Sequence, residues 1–201
     1  MDMSNYYLIS SKKKQQVASA FAHENTKLDH ELVKDLNRES KLPFELYLLK
    51  LSVGKNGLIE SNDLTGLNEI WLDYLPNSLA WPFFSEKLKD VVDKSLTGKE
   101  NIDWITAKVN GNGEQREYYI PRFEKMLDVL DLEKTMFVEN TDAVIRPCFS
   151  LTKINNFTVF HMPQSHDLWK ITSSLYVNET LKKAIQKEKF TGINFEKTRV
   201  I

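Results

Sequence analysis

WPFFSEKLKDVVDKSLTG, residues 81–98, has the pattern of a capped amphipathic helix, and the fold that we expect is organised around it. Ser85 suits a helix N-cap, because its side-chain oxygen can accept from the free N–H groups of the first turn. Glu86 follows at the first helical position, where the positive end of the helix dipole favours a carboxylate. Three apolar residues at helical spacing form one stripe: Leu88, Val91 and Val92. Gly98 closes the unit, where a left-handed residue is common.

The same pattern recurs near the C-terminus in LYVNETLKKAIQKEKFTG, residues 175–192. Asn178 stands at the position of Ser85, a glutamate follows it, and Gly192 closes the unit. Apolar residues precede both caps, as they would if a strand led into each helix. We therefore predict two copies of strand, capped helix and glycine stop. The alternative is two unrelated surface helices, whose caps look alike for physical reasons.

Length and composition predict a soluble globular protein. The chain has 201 residues, which suggests one domain over residues 1–201, or two lobes of about residues 1–100 and 101–201 that share a core. Hydrophobic residues make up 41% of the chain and charged residues 27%. The formal net charge is −1, so no global field attracts nucleic acid or an anionic membrane. We predict neither of them as a partner.

The compartment follows from the cysteine count and from the absence of targeting signals. Cys148 is the single cysteine and lies in an apolar run, so a buried thiol in a reducing compartment is expected. The N-terminal apolar patch is too short for a signal peptide, and no stretch approaches the length of a transmembrane helix. We therefore predict a cytoplasmic protein.

A β-hairpin is the clearest single element in the sequence. The Asn-Gly pairs at residues 110–113 separate two partly apolar stretches, 102–109 and 116–123, and tolerate the positive φ values that hairpin turns require. Further strands are expected at residues 6–9, 43–53 (where a helix is the alternative), 143–151, 157–162, 166–177 and 193–195, with 143–151 paired to 157–162.

The remaining stretches give weaker signals. Apolar spacing in residues 15–40 predicts two helices, the second capped by Thr26 or Asp29. Three further stretches are assigned as follows: 54–63 to a loop, 67–84 to a short helix or strand, and 124–137 to a strand or short helix. Together these predictions describe an α+β fold, with mostly antiparallel sheets and helices on one face.

The sequence offers no convincing catalytic constellation. The glycines do not form a phosphate-binding loop. His161 and His166, next to Asp167, would need further ligands to hold a metal, and loop histidines are the simpler interpretation. Two carboxylates of residues 128–133 could perform acid–base chemistry, although a solvated face is the more usual role of such a cluster. We predict no catalytic residue, no cofactor and no metal.

The order of six short motifs resembles the immunity proteins of bacterial polymorphic toxin systems, in a group long known only as a domain of unknown function. The motifs are Tyr6-Tyr7-Leu8-Ile9, Phe84-Ser85-Glu86-Lys87-Leu88, Tyr118-Tyr119-Ile120, Leu130-Asp131-Leu132-Glu133-Lys134-Thr135, Asp167-Leu168-Trp169-Lys170-Ile171 and Thr191-Gly192-Ile193-Asn194-Phe195. The resemblance covers most of the chain beyond residue 80. Asn178 replaces the family's usual cap serine, and residues 10–66 match no motif.

The resemblance implies a non-catalytic cytoplasmic protein that binds and neutralises one cognate toxin domain. Tight binding would require aromatic and charged hot spots on an interface of standard size. The candidates for partner binding are Trp71, Tyr74, Trp81, Asp128, Asp131 and Glu133.

Two other functions remain open at the level of the sequence. An enzyme of unrecognised type would gather His161, His166 and carboxylates in one deep pocket. An adaptor or structural subunit could associate through the apolar residues 67–84, and the oligomeric state is open.

Overall fold

The computed structural model describes residues 5–12, 16–22, 27–55, 57–165 and 167–201. Within them, two mostly antiparallel sheets and four helices form an α+β fold, which confirms the predicted fold class. Thr26 and His166 lie outside the described residues, as does most of the lysine run at 12–14.

The first sheet has four antiparallel strands in the order β11-β1-β10-β9. Their bounds are Tyr6–Ser11 for β1, Val159–His161 for β9, Leu175–Asn178 for β10 and Ile193–Lys197 for β11. The predicted strand at residues 6–9 and the predicted edge strand at 193–195 are therefore confirmed. Because β1 pairs with β10 and β11, the beginning of the described chain is held against its last strands.

The second sheet has the order β2-β3-β5-β6, with β4 also paired to β3. Its strands are β2 (Gln16–Ala22), β3 (Leu46–Gly54), β4 (Gly57–Ser61), β5 (Ile102–Gly111) and β6 (Glu114–Phe123). All its pairs are antiparallel except that of β3 with β5. The hairpin of β5 and β6 turns at Asn112-Gly113, where both φ angles are positive, and so confirms the Asn-Gly prediction.

Four helices and a small ribbon complete the fold. The helices are α1 (Asp29–Asp35), α2 (Glu86–Ser95), α3 (Leu151–Ile154) and α4 (Glu179–Lys187). Strands β7 (Met136–Phe137) and β8 (Val144–Arg146) pair with each other as a two-stranded ribbon. Helices α2 and α4 pack against each other, so the two repeated helices share one core.

Both repeated helices begin as the sequence predicts. Ser85 Oγ accepts a hydrogen bond from Leu88 N at 3.3 Å, and Asn178 Oδ1 accepts one from Leu181 N at 2.9 Å. The buried residues of α2 and α4 are Leu88, Val92, Leu181 and Ile185. The caps and the inward apolar stripes are therefore confirmed.

The predicted glycine stops are wrong. Helix α2 ends at Ser95 with an extended Leu96, and in α4 the left-handed residue after the helix is Lys189, with φ of 58°. Gly98 and Gly192 follow a few residues later, both with positive φ. They shape the exits from the two units but do not terminate the helices.

Several other predictions of local structure are also wrong. Residues 16–22 form strand β2 instead of a helix, and all seven of them pair with β3. Residues 57–61 form strand β4 instead of loop, and the N-cap of α1 is Leu28 instead of Asp29. Strand β8 pairs with β7, and β9 with β10, so residues 143–151 and 157–162 do not pair with each other. Outside β7, residues 124–137 lack regular structure, and so do residues 67–84.

Two buried clusters form the core. One joins both repeated helices to the first sheet, and the other packs the second sheet against α1 and residues 64–83. Each cluster draws residues from both sides of position 100, so the chain crosses between them repeatedly. A single domain, with two lobes as the alternative, stays a prediction.

Candidate partner-binding surface

Of the three predicted aromatic candidates, Trp71 alone reaches the surface. It is half-buried, and the guanidinium carbon of Arg116 lies 4.7 Å from its ring centroid, within the range of a cation–π contact. Both residues line an open cleft of about 390 Å³, together with Asp73, Glu86 and Tyr119. A half-buried tryptophan next to an arginine is typical of the residues that dominate binding energy at protein interfaces.

The wall of this cleft is fixed by Asp73, which joins the two repeated units. Ser85 Oγ donates to Asp73 Oδ1 at 2.8 Å, while Thr191 donates to Asp73 Oδ2 from its backbone N at 2.9 Å and from Oγ1 at 3.1 Å. One carboxylate therefore connects the cap of α2 to the segment after α4. No motif in the sequence pointed to Asp73, since its partners lie 12 and 118 positions away.

Lys89 gives the neighbouring face a second aromatic–cation group. Its Nζ lies 5.4 Å from the Trp104 ring centroid and 5.5 Å from that of Tyr119. It also pairs with Asp93 at 2.5 Å, and Trp104 Nε1 donates to the same carboxylate at 2.7 Å. Of this network only Tyr119 lines the cleft, so the group adjoins the cleft on its α2 side.

Tyr74 and Trp81 are buried in the structure. Their exposed fractions are 7% and 4%, and they belong to different core clusters. Burial raises the pKa of Tyr74, and the carbonyl of Trp81 accepts from Asn77 Nδ2 at 2.7 Å. Either ring could touch a partner only after local rearrangement, so their predicted role in binding stays a prediction.

The predicted acidic candidates lie on one irregular segment. Asp128 is exposed and pairs with Lys153 at 2.8 Å, and Glu133 is exposed as well. Asp131 Oδ1 accepts from the backbone N–H groups of Glu133 at 3.1 Å and of Lys134 at 3.2 Å, so its side chain also shapes the turn. None of these carboxylates lines the cleft of Trp71, and the two halves of the predicted site are therefore separate surfaces.

A second groove lies beside this acidic segment. It has a volume of about 860 Å³, is open to solvent, and is lined by residues of the 126–144 segment and by residues 163–165. Leu130 and Leu132 of the predicted segment line it, but its charged lining residues are Glu139 and Asp142, which the sequence analysis did not select. No local sequence signal marks these two carboxylates, because the groove forms only where residues 163–165 lie beside the 126–144 segment.

The histidine that was considered for metal binding or catalysis is a core residue. His161 is fully buried, its Nε2 accepts from Leu127 N at 3.0 Å, and its Nδ1 lies 3.0 Å from the carbonyl of Met162. The ring is therefore the neutral Nδ1–H tautomer, and burial lowers the pKa of His161. Among the described residues, no group of three or more His, Cys, Asp or Glu side chains is placed to hold a metal ion.

Cys148 and Glu100 are also buried. Cys148 is a free thiol in the core, as the sequence predicts. Glu100 Oε1 accepts from Thr158 N at 2.7 Å, and its Oε2 accepts from Thr97 N at 3.0 Å and from Thr97 Oγ1 at 2.8 Å. The Glu100 carboxylate thus ties the loop after α2 to the start of β9.

The helices in the described part of the chain are all too short or too polar to cross a lipid bilayer.

The described structure is thus that of an α+β protein in which the Trp71 cleft and the groove beside the ribbon lie open on the surface. Residues 62–200 match the family described as "Immunity protein family (Imm11)". Because the match spans more than half of the chain, the protein belongs to the Imm11 immunity protein family. No curated protein matches the sequence.

The match confirms the resemblance to immunity proteins, and it contains five of the six motifs on which that resemblance rests. Tyr6-Tyr7-Leu8-Ile9 lies before residue 62 and so outside the matched range. In the fold, however, these residues form β1, which pairs with β10 and β11 inside that range.

Proposed function

We propose that this protein binds and neutralises a cognate toxin domain of a bacterial polymorphic toxin system, in the cytoplasm of the cell that produces the toxin, and that it does so without catalysis. The observation that carries the proposal is the match to the immunity protein family over residues 62–200. The bonds of Asp73 to Ser85 and Thr191 support it, because they fix one wall of the Trp71 cleft before a partner binds, and such preorganisation lowers the cost of binding.

Within this proposal, the predicted residues that reach the surface are the contact candidates. Trp71 offers a large aromatic surface beside Arg116, and Asp128, Asp131 and Glu133 offer negative charge on a separate surface. Truncation of a hot-spot aromatic residue typically costs about 2 kcal/mol or more of binding free energy, which is about 30-fold in Kd. Trp71→Ala should reach this size if Trp71 anchors the partner.

Co-expression with the toxin domain that the proposal expects in the neighbouring gene tests it. Cells that express the toxin domain should stop growing, and the protein should restore growth and co-purify with the toxin domain. An unrelated soluble protein of similar size, expressed at the same level, is the control. If a toxin domain shown to be lethal kills equally with and without this protein, the proposed function is wrong.

A further inference from the structure

The groove beside the ribbon of β7 and β8 combines an apolar lining with an acidic rim; we call it the ribbon groove. Its apolar lining residues are Met126, Leu130, Leu132, Phe137, Val138 and Val144. Its charged lining residues are Glu139 and Asp142, and the lining contains neither lysine nor arginine. Residues 163–165 complete the wall.

The lining is apolar surface that the fold leaves in water. The exposed fractions are 56% for Met126, 66% for Leu132 and 44% for Val138. Two other lining residues connect the groove to the core cluster of the first sheet: Leu130 belongs to that cluster, and Phe137 packs against it. The core therefore supports the floor of the groove. Soluble proteins seldom expose contiguous apolar surface of this kind unless it binds something.

The ribbon that forms one wall can adapt to an occupant. Within the described residues, β7 and β8 pair with each other and with no other strand. Their turn is closed by Val138 N donating to Ala143 O at 2.8 Å and by Thr141 Oγ1 donating to Val138 O at 3.1 Å. A two-stranded ribbon is only marginally stable by itself, and flexible Met126 can repack against different shapes.

The charge of the rim selects the kind of occupant. Glu139 and Asp142 are exposed and form no ion pair with any described residue, whereas nearby Asp128 is already paired with Lys153. Uncompensated negative charge repels phosphate groups of nucleic acids and anionic lipids. A second copy of the chain docked groove to groove would bring the same charges together, whereas lysine or arginine side chains would find acceptors there.

We propose that the ribbon groove is the docking site for a segment of the cognate toxin that carries apolar side chains flanked by lysine or arginine. This inference rests on the proposed function. The apolar side chains enter the groove between Met126 and Leu132, and the flanking cations pair with Glu139 and Asp142 at the rim.

Charge reversal and loss of the apolar lining test the two halves of this interface separately. The double variant Glu139→Lys/Asp142→Lys should weaken binding of the neighbouring toxin domain by about 10-fold or more, mainly through slower association. Leu132→Ser should weaken binding by about 30-fold, as expected for a side chain that becomes buried against the toxin segment. Both sites are exposed, so thermal unfolding should be unchanged, and circular dichroism checks this.

Matched controls lie on the β4 hairpin. Leu58 is 70% exposed and Glu60 is exposed, so away from the groove Leu58→Ser makes the same change as Leu132→Ser, and Glu60→Lys makes the same change as the single variant Glu139→Lys, which is measured beside the double variant. Titration calorimetry with the purified toxin domain should give wild-type affinity for both controls. Added salt should weaken wild-type binding more than binding by the double variant, because the rim charges are then screened.

The outcomes separate this inference from the proposed function. If the wild-type protein binds the toxin domain and the groove variants bind equally well, the ribbon groove is not the docking site, although the proposed function stands. If the wild-type protein neither binds nor protects, the proposed function fails, and this inference fails with it. If light scattering shows a wild-type dimer that Leu132→Ser converts to a monomer, the groove is instead a self-association surface and the inference is overturned.

Discussion

Gly98 and Gly192 stand at equivalent positions of the two repeated units, but replacement by alanine should affect them very differently. Both have a left-handed φ, 81° for Gly98 and 78° for Gly192. A Cβ atom at Gly98 would have no described heavy atom within 4 Å. A Cβ atom at Gly192 would lie 2.3 Å from the carbonyl oxygen of Tyr74 and 3.0 Å from Cβ of Leu72.

The contact at Gly192 cannot relax freely, because hydrogen bonds hold the backbone on both sides of it. Tyr74 N donates to Thr191 O at 3.1 Å, Lys12 N donates to Gly192 O at 2.8 Å, and Thr191 is bonded to Asp73. Moving the loop away from Tyr74 would break these bonds. This close approach is the reason why only glycine fits at position 192.

The expected magnitudes follow from these contacts. A left-handed alanine costs about 1–2 kcal/mol at either position. Overpacking against the Tyr74 carbonyl adds about 1–3 kcal/mol at Gly192 alone. For a chain of this size, 1 kcal/mol corresponds to about 2–4 °C in Tm, so Gly192→Ala should melt about 2–12 °C below Gly98→Ala.

Differential scanning calorimetry of the wild-type protein and both variants measures this difference, and urea denaturation gives the free energies of unfolding independently. The Tm of Gly98→Ala should fall by about 2–8 °C. Equal losses for the two variants, or a larger loss for Gly98→Ala, would show that the docking of Thr191-Gly192 onto residues 73–74 does not carry the stability assigned to it.

Two further predictions concern buried polar side chains. Burial lowers the pKa of His161, so as the pH falls the histidine of the unfolded chain takes up a proton before that of the folded chain does. The free energy of unfolding should therefore decrease below about pH 6.5, by up to about 1.4 kcal/mol per pH unit. Urea denaturation at about pH 7.5 and pH 5.5 measures this loss of stability, which should be smaller in His161→Gln. An equal loss in the wild-type protein and in His161→Gln would show that other groups cause it. Glu100→Gln should lower the free energy of unfolding by about 1–3 kcal/mol, because its amide N–H₂ would face a backbone N–H group from which the carboxylate now accepts a hydrogen bond. The exposed Glu60→Gln should change it by less than about 0.5 kcal/mol, and equal effects of the two substitutions would contradict the role of Glu100.

The parts of the fold that the sequence predicted correctly are governed by short-range interactions. The β5–β6 hairpin depends on the positive φ values at Asn112-Gly113, and the caps of α2 and α4 depend on a side chain bonded three residues ahead. The apolar stripes of both helices also follow from the 3.6-residue period. A single sequence contains all of this information, because every participating group lies within a few residues.

The incorrect predictions concern pairing between distant segments. Residues 16–22 have apolar spacing that suits a helix, yet Ala18 and Ala20 are fully buried and the whole segment pairs with β3. Strand β9 pairs with β10, which lies further along the chain, and not with the nearer residues 143–151. Proximity along the chain therefore does not decide its partner. Strand propensity depends strongly on such neighbours, which a local pattern does not contain.

For the candidate surfaces, the sequence by itself identified the family motifs, Trp71 as one of three aromatic candidates, and an acidic segment that borders the ribbon groove. The tertiary structure decided that Tyr74 and Trp81 are buried, that Asp73 joins the two repeated units, and that Glu139 and Asp142 form the rim of the groove. The physical reason is that residue type and local spacing set caps and turns, whereas burial and clefts arise only when segments far apart in the chain pack against each other.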